Sequence, residues 1–84
     1  MSEISATSTA PALEQVFRRA LDLSDDVDVT ALAYGQHDHW DSVGHMVLVA
    51  EIEDAFGVML DTDDVIGLSD WQAAVELLER LGVS

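Results

Sequence analysis

Apolar residues recur at helical spacing in three stretches of the chain, and turn and cap signals fill the gaps between them. Leu13, Val16, Phe17, Ala20 and Leu21 gather on one side of a helix at roughly 100° per residue. Pro11 suits a first helical turn, where its missing N–H does no harm. The spacing predicts a helix from about Ala10 to Leu21, preceded by a Ser-, Thr- and Ala-rich lead-in over residues 1–9 that is expected to be disordered. The second stretch is Trp40 to Phe56, WDSVGHMVLVAEIEDAF. Short polar side chains at Asp41 and Ser42 can accept the unpaired N–H groups of a first turn, and Gly57 suits the left-handed conformation that closes a helix. A helix over Ser42–Phe56 follows. In the third stretch, Ser69, Asp70, Trp71 and Gln72 have the spacing of an S-x-x-Q capping box. Trp71, Ala74, Val75, Leu78 and Leu81 continue that helix as far as Gly82.

The middle helix is apolar on two sides. His45, Leu48, Val49, Ile52 and Phe56 lie on one side, and Val43, Met46, Val47 and Ala50 on the other. One apolar stripe suffices for a core. The second, with Glu51, Glu53 and Asp54 near its margins, reads as a partner surface with an acidic rim beside Ser42. Gly44 weakens the first turn slightly; it either leaves room next to Ser42 for an approaching group or is a tolerated small residue. Between Leu23 and Asp41 the periodicity fades, and acids with Gly35 favour a long loop. Val27, Val29, Leu32 and Tyr34 are expected to pin it to the core, with Tyr34 and Trp40 as packing residues. After Leu60, Asp61 or Thr62 is placed to cap a short helix over Asp63–Ile66. The expected fold is therefore all-α: a four-helix bundle with three longer helices, one short helix and a long first loop. It forms a single domain over residues 10–82, with 83–84 as a tail.

An 84-residue chain buries only about 60–65% of its unfolded surface, which leaves little room for an internal active-site cavity. There is no cysteine, so thiol chemistry has to come from an attached group, and a cytoplasmic home is natural. Seventeen acids face three arginines, Arg18, Arg19 and Arg80, for a net charge of −14. Nucleic acid and anionic membranes are repelled, whereas basic protein partners are steered in, more strongly at low salt. Arg18 and Arg19 are read as solvated. The longest apolar run, Met46–Ala50, is too short to cross a bilayer, and the N-terminus lacks the basic and apolar regions of a secretory signal. A soluble, monomeric protein is expected.

The Asp-Ser-Val step at a helix start, the apolar helix containing acids, and Phe56-Gly57-Val58 at its end resemble the acyl carrier proteins and related peptidyl carrier domains. The resemblance runs from about Leu13 to Leu81 and extends to length and helix order. It implies an acyl-carrier-like bundle in which Ser42 carries 4′-phosphopantetheine, with Asp41 helping to place metal or serine during attachment as well as capping the helix. It further implies a phosphopantetheinyl transferase as partner, together with acyl-loading, condensing or tailoring enzymes that meet Val43, Met46, Val47, Ala50, Glu51, Glu53 and Asp54. Val65 and Ile66 would close the bundle beside the serine, in a region that often contacts the carried group in that family. Val43 stands where the family usually has leucine, and Gly44, Met46 and Val47 occupy early turns that are often more acidic in fatty-acid carriers. These departures favour polyketide, nonribosomal peptide or other specialised acyl biosynthesis. A stand-alone peptidyl or aminoacyl carrier is the alternative within the family.

Other chemistry is less well matched. His37, Asp38, His39, Asp41 and His45 are zinc-ligand types, but the spacing is loose and a second closed cluster is missing, so no metal site is assigned. Three imidazoles among acids also allow a mild pH response, and His45, on the core side of its helix, is expected to be partly buried. Asp61, Thr62, Asp63 and Asp64 fail the calcium-loop pattern, with Ile66 where a glycine is required and Gln72 where a glutamate is. Ser42 with nearby histidines and Asp41 lacks the G-x-S-x-G elbow of a hydrolase. Apart from a carrier, a helical interaction adaptor using the same apolar patch is the competing reading.

Overall fold

Three aspartates start three helices by the same means. Asp41, Asp61 and Asp70 are each extended, and their side chains accept the N–H of Gly44, Asp64 and Ala73, respectively. Each bond satisfies one of the donors that a helix start leaves unpaired. The computed structural model describes residues 2–83, with side chains from residue 10 onward, and is all-α. It contains α1 (Ser2–Leu21), a 3-10 turn (Val29–Ala31), α2 (Ser42–Phe56), α3 (Thr62–Gly67) and α4 (Trp71–Arg80). Among the described residues there is no strand, only an isolated bridge between Ala33 and Asp70.

The middle helix has the bounds its local signals predict. Gly57 adopts φ 64° at its end, and its N–H bonds the Glu53 carbonyl. Two other boundaries are corrected. Helix α1 runs back to Ser2, so the lead-in expected over residues 1–9 is helical from Ser2, and Pro11 lies inside the helix rather than in its first turn. An interior proline deletes one backbone bond, but no glycine adds to that loss before Leu21. Helix α1 ends at Asp22 with φ 54°, a left-handed conformation that aspartate adopts more readily than most residues. Helix α4 starts from Asp70, not Ser69: the Ser69 carbonyl accepts the Tyr34 N–H at 2.8 Å, and Gln72 bonds Glu76 instead of reaching back. The expectations for Met1 and Ser84 lie outside the described residues.

The core is one cluster. Leu13, Val16, Phe17 and Leu21 of α1 meet Leu48, Val49 and Ile52 of α2 and Ala74, Leu77 and Leu78 of α4. The long loop supplies Val29, Leu32 and the fully buried Trp40, so it crosses the bundle as part of the core. Phe17 stands between two indoles, edge-on to Trp40 at 5.4 Å and tilted to Trp71 at 5.5 Å. Arg18 is not simply solvated. It binds Glu14 and donates to the Ser24 and Val27 carbonyls at 2.8 and 2.9 Å, tying the first turns of the loop to α1.

The 3-10 turn is held by Asp28, whose carboxylate accepts from both the hydroxyl and the N–H of Thr30. These bonds, the hydroxyl's first, hold the Asp28 carboxyl below its ordinary value of 3.8. A carboxyl depressed in the folded state contributes stability above its unfolded value, and that contribution is lost as pH falls through the folded one. Asp28→Asn is therefore expected to lower the urea midpoint at pH 7, and the gap to the parent should narrow below pH 3.8. Urea unfolding of both proteins across that range checks it; a gap independent of pH would show that the charge is not involved.

Candidate functional site

Ser42 is the first residue of α2, and the capping work falls to its neighbour: Asp41 Oδ1 accepts the Gly44 N–H at 2.8 Å. The Ser42 hydroxyl is thereby left at the exposed surface, outside the capping bond. Its contact is the Tyr34 hydroxyl, 3.3 Å from Ser42 Oγ. Tyr34 is 44% exposed; its ring packs against Trp40 and His45, as expected of a packing residue, and its hydroxyl reaches the serine.

The start of α2 is fixed by two tight features. The first is Gly44, where any Cβ would collide with the His39 carbonyl oxygen and crowd Leu21. Glycine lets the end of the loop lie directly on the first turn; it is not spare room for a group approaching Ser42. The second is His45. The Trp40 indole N–H donates to His45 Nδ1 at 3.0 Å, and His45 Nε2 lies 2.8 Å from the Val65 carbonyl. An indole can only donate and a carbonyl can only accept, so His45 is neutral with its proton on Nε2. One ring therefore joins the loop, α2 and α3.

The histidines are distributed among structural partners. His39 Nδ1 donates to the Leu21 carbonyl at 2.9 Å, and His37 Nδ1 accepts the His39 N–H at 3.0 Å. Among the described residues no three His, Cys, Asp or Glu side chains are arranged to hold a metal ion. Both nitrogens of His45 are engaged away from Ser42, so this imidazole is not in position to take the serine proton.

Along α2 from Ser42 runs an open groove of about 690 Å³, lined by Val43, Met46, Val47, Ala50, Glu51 and Asp54. Val43 is 74% and Met46 59% exposed. Glu51 pairs with Arg19 at 3.1 Å, and Asp54 is exposed. Glu53 is not among the residues that line the groove: it is half-buried, and its Oε2 accepts the Leu60 N–H at 2.9 Å, bracing the chain after Gly57. Val65 and Ile66 belong to a different concavity, a cleft of about 270 Å³ that they share with Tyr34, His45, Leu68 and Ser69. Ser42 lines the groove and meets the cleft only through the hydroxyl of Tyr34. Sequence reasoning missed the Tyr34 contact and the need for Gly44, since neither has a periodic or cap signal.

Comparison of the chain with protein-family models, curated proteins and solved structures gives no match. Among the described residues no helix is long and apolar enough to cross a membrane.

Gly44→Ala is expected to destabilise the protein by about 1–3 kcal/mol, the usual cost of forcing a methylene into a packed site. Thermal unfolding should register a fall of roughly 4–8 °C per kcal/mol for a domain of this size. An unchanged midpoint would contradict the close approach of His39.

Proposed function

We propose that this chain is a carrier domain, with Ser42 as the attachment point for 4′-phosphopantetheine. The observation that carries the reading is an exposed serine hydroxyl at a helix start whose capping duty is met by Asp41, beside an apolar groove with acids along it. The Asp-Ser-Val step, Phe56-Gly57-Val58 and the four-helix order support it from the sequence. The residues present fit such a group, since the hydroxyl is accessible and no covering element has to move.

Attachment is a displacement carried out by a separate transferase. Ser42 Oγ forms a bond to the β-phosphorus of coenzyme A, the phosphoanhydride bond breaks, 3′,5′-ADP leaves, and the serine proton passes to a base of the transferase, which brings its own Mg²⁺. Asp41 orients the serine by fixing the helix start. When bound, the arm supplies a terminal thiol that holds an acyl or aminoacyl group as a thioester. No catalytic residue is required of this chain.

The carrier must then meet several enzymes in turn and leave each. A shallow groove supplies a small apolar contact at Val43, Met46, Val47 and Ala50, of the size suited to weak, transient association. The net charge of −14 adds steering towards basic partners without demanding tight binding. An apolar rather than acidic start to α2 favours a dedicated partner set, as in polyketide, nonribosomal peptide or other specialised acyl biosynthesis. An aminoacyl cargo is compatible with the same surface, because the loading enzyme selects the cargo.

Intact-protein mass measured before and after incubation with a broad-specificity phosphopantetheinyl transferase, Mg²⁺ and coenzyme A tests the reading. One phosphopantetheine should be added to the parent and none to Ser42→Ala. No addition to well-folded parent protein by several transferases would transfer the groove to a non-carrier adaptor.

A further inference from the structure

Ser42 lines the groove along α2, and a single hydroxyl, that of Tyr34, links it to the neighbouring cleft. Tyr34 lines the cleft with His45, Val65, Ile66, Leu68 and Ser69, and has no part in the groove along α2. Its hydroxyl reaches Ser42 Oγ at 3.3 Å. The tyrosine is held from several directions despite its exposure. Its N–H bonds the Ser69 carbonyl at 2.8 Å, next to the Ala33–Asp70 bridge, and its ring stands edge-on to His45 at 5.0 Å and to Trp40 at 6.4 Å. Trp40 is fully buried and His45 is bonded at both nitrogens, so the ring leans on fixed partners.

We infer that Tyr34 is a positioning residue for the group carried on Ser42: its hydroxyl bonds the phosphodiester at the root of the arm and tips the arm over the cleft, away from the groove along α2. The inference rests on the carrier reading. In the unmodified pair either hydroxyl can donate. Once Ser42 Oγ is an ester oxygen it has no proton, so Tyr34 becomes the donor, and the acceptor is a charged phosphodiester that strengthens the bond. The cationic side chains are engaged elsewhere: Arg18 with Glu14, Arg19 with Glu51 and Arg80 with Asp64. A neutral hydroxyl thus does the anchoring in an otherwise acidic protein. The arm and a docking enzyme then use different faces of Ser42 and do not compete for Val43 and Met46.

Amide NMR of the ¹⁵N-labelled full chain, before and after enzymatic attachment of phosphopantetheine, tests this without any partner enzyme. In the parent, the shift changes should be large at Tyr34, Ile66 and Ser69 and small at Val47, Ala50 and Asp54. In Tyr34→Phe, which keeps the ring, the cleft-bound population should fall roughly tenfold, as expected for loss of one charge-assisted hydrogen bond. The changes at Ile66 and Ser69 should shrink accordingly. The spectrum of unmodified Tyr34→Phe, matching the parent at His45 and Trp40, shows that the ring keeps its packing and that only the hydroxyl is lost. Shift changes centred on the groove, or unaltered by loss of the hydroxyl, would overturn the role of Tyr34 while leaving the carrier reading intact. Failure of the parent to gain mass would instead remove the carrier reading, and this inference with it.

Discussion

The arrangement around Ser42 depends on the neutral imidazole of His45. Trp40 is buried completely, and its indole N–H has to be satisfied; His45 Nδ1 does so, and the proton on Nε2 satisfies the Val65 carbonyl near the end of α3. Leaving that buried indole N–H unpaired would cost about 1–3 kcal/mol, a large share of the stability of a small domain. Because the ring belongs to the first turn of α2, the same two bonds fix the loop that delivers Ser42, the helix that displays it and the short helix beside it. The aromatic column continues outward, with Tyr34 edge-on to His45 and its hydroxyl at the serine.

The two faces of α2 follow from this anchoring. Leu48, Val49 and Ile52 are claimed by the core, with Trp40 and His45 filling the helix start, so Val43, Met46 and Val47 have no place inside and remain on the surface. An apolar groove results that the fold itself does not need. Its rim is less charged than a count of acids suggests, since Glu51 is paired with Arg19 and Glu53 is turned to the Leu60 N–H. Asp54 is left as the exposed acid of the groove, which puts long-range steering on the charge of the whole molecule more than on local ion pairs.

What could be read in the sequence was local. The bounds of α2 are set by Asp41 and Gly57, each acting within a few residues of itself, and both are visible as residue types. The division of α2 into buried and exposed faces is likewise a matter of periodicity, and the burial of Leu13, Val16 and Phe17 follows the same logic. Long-range pairing decided the rest. Ser69 and Asp70 are equally good caps by type, and the choice falls to Asp70 because the Ser69 carbonyl is taken by Tyr34, 35 residues away in sequence. Gly44 gave no hint of the His39 carbonyl above it, nor Arg18 of the loop carbonyls it holds, and Tyr34 lies in an aperiodic stretch where spacing carries no information. The serine was legible; the contacts that position it were not.

The central claim, that a neutral His45 joins loop, α2 and α3, can be measured on the ring itself. Long-range ¹H–¹⁵N correlation of the His45 imidazole, with detection of scalar coupling across the hydrogen bond from the Trp40 indole, reports the tautomer and the bond together. The account predicts a proton fixed on Nε2, an unprotonated Nδ1, and coupling between Nδ1 and the Trp40 indole nitrogen. A proton on Nδ1, or a ring averaging between tautomers with no coupling to Trp40, would contradict it.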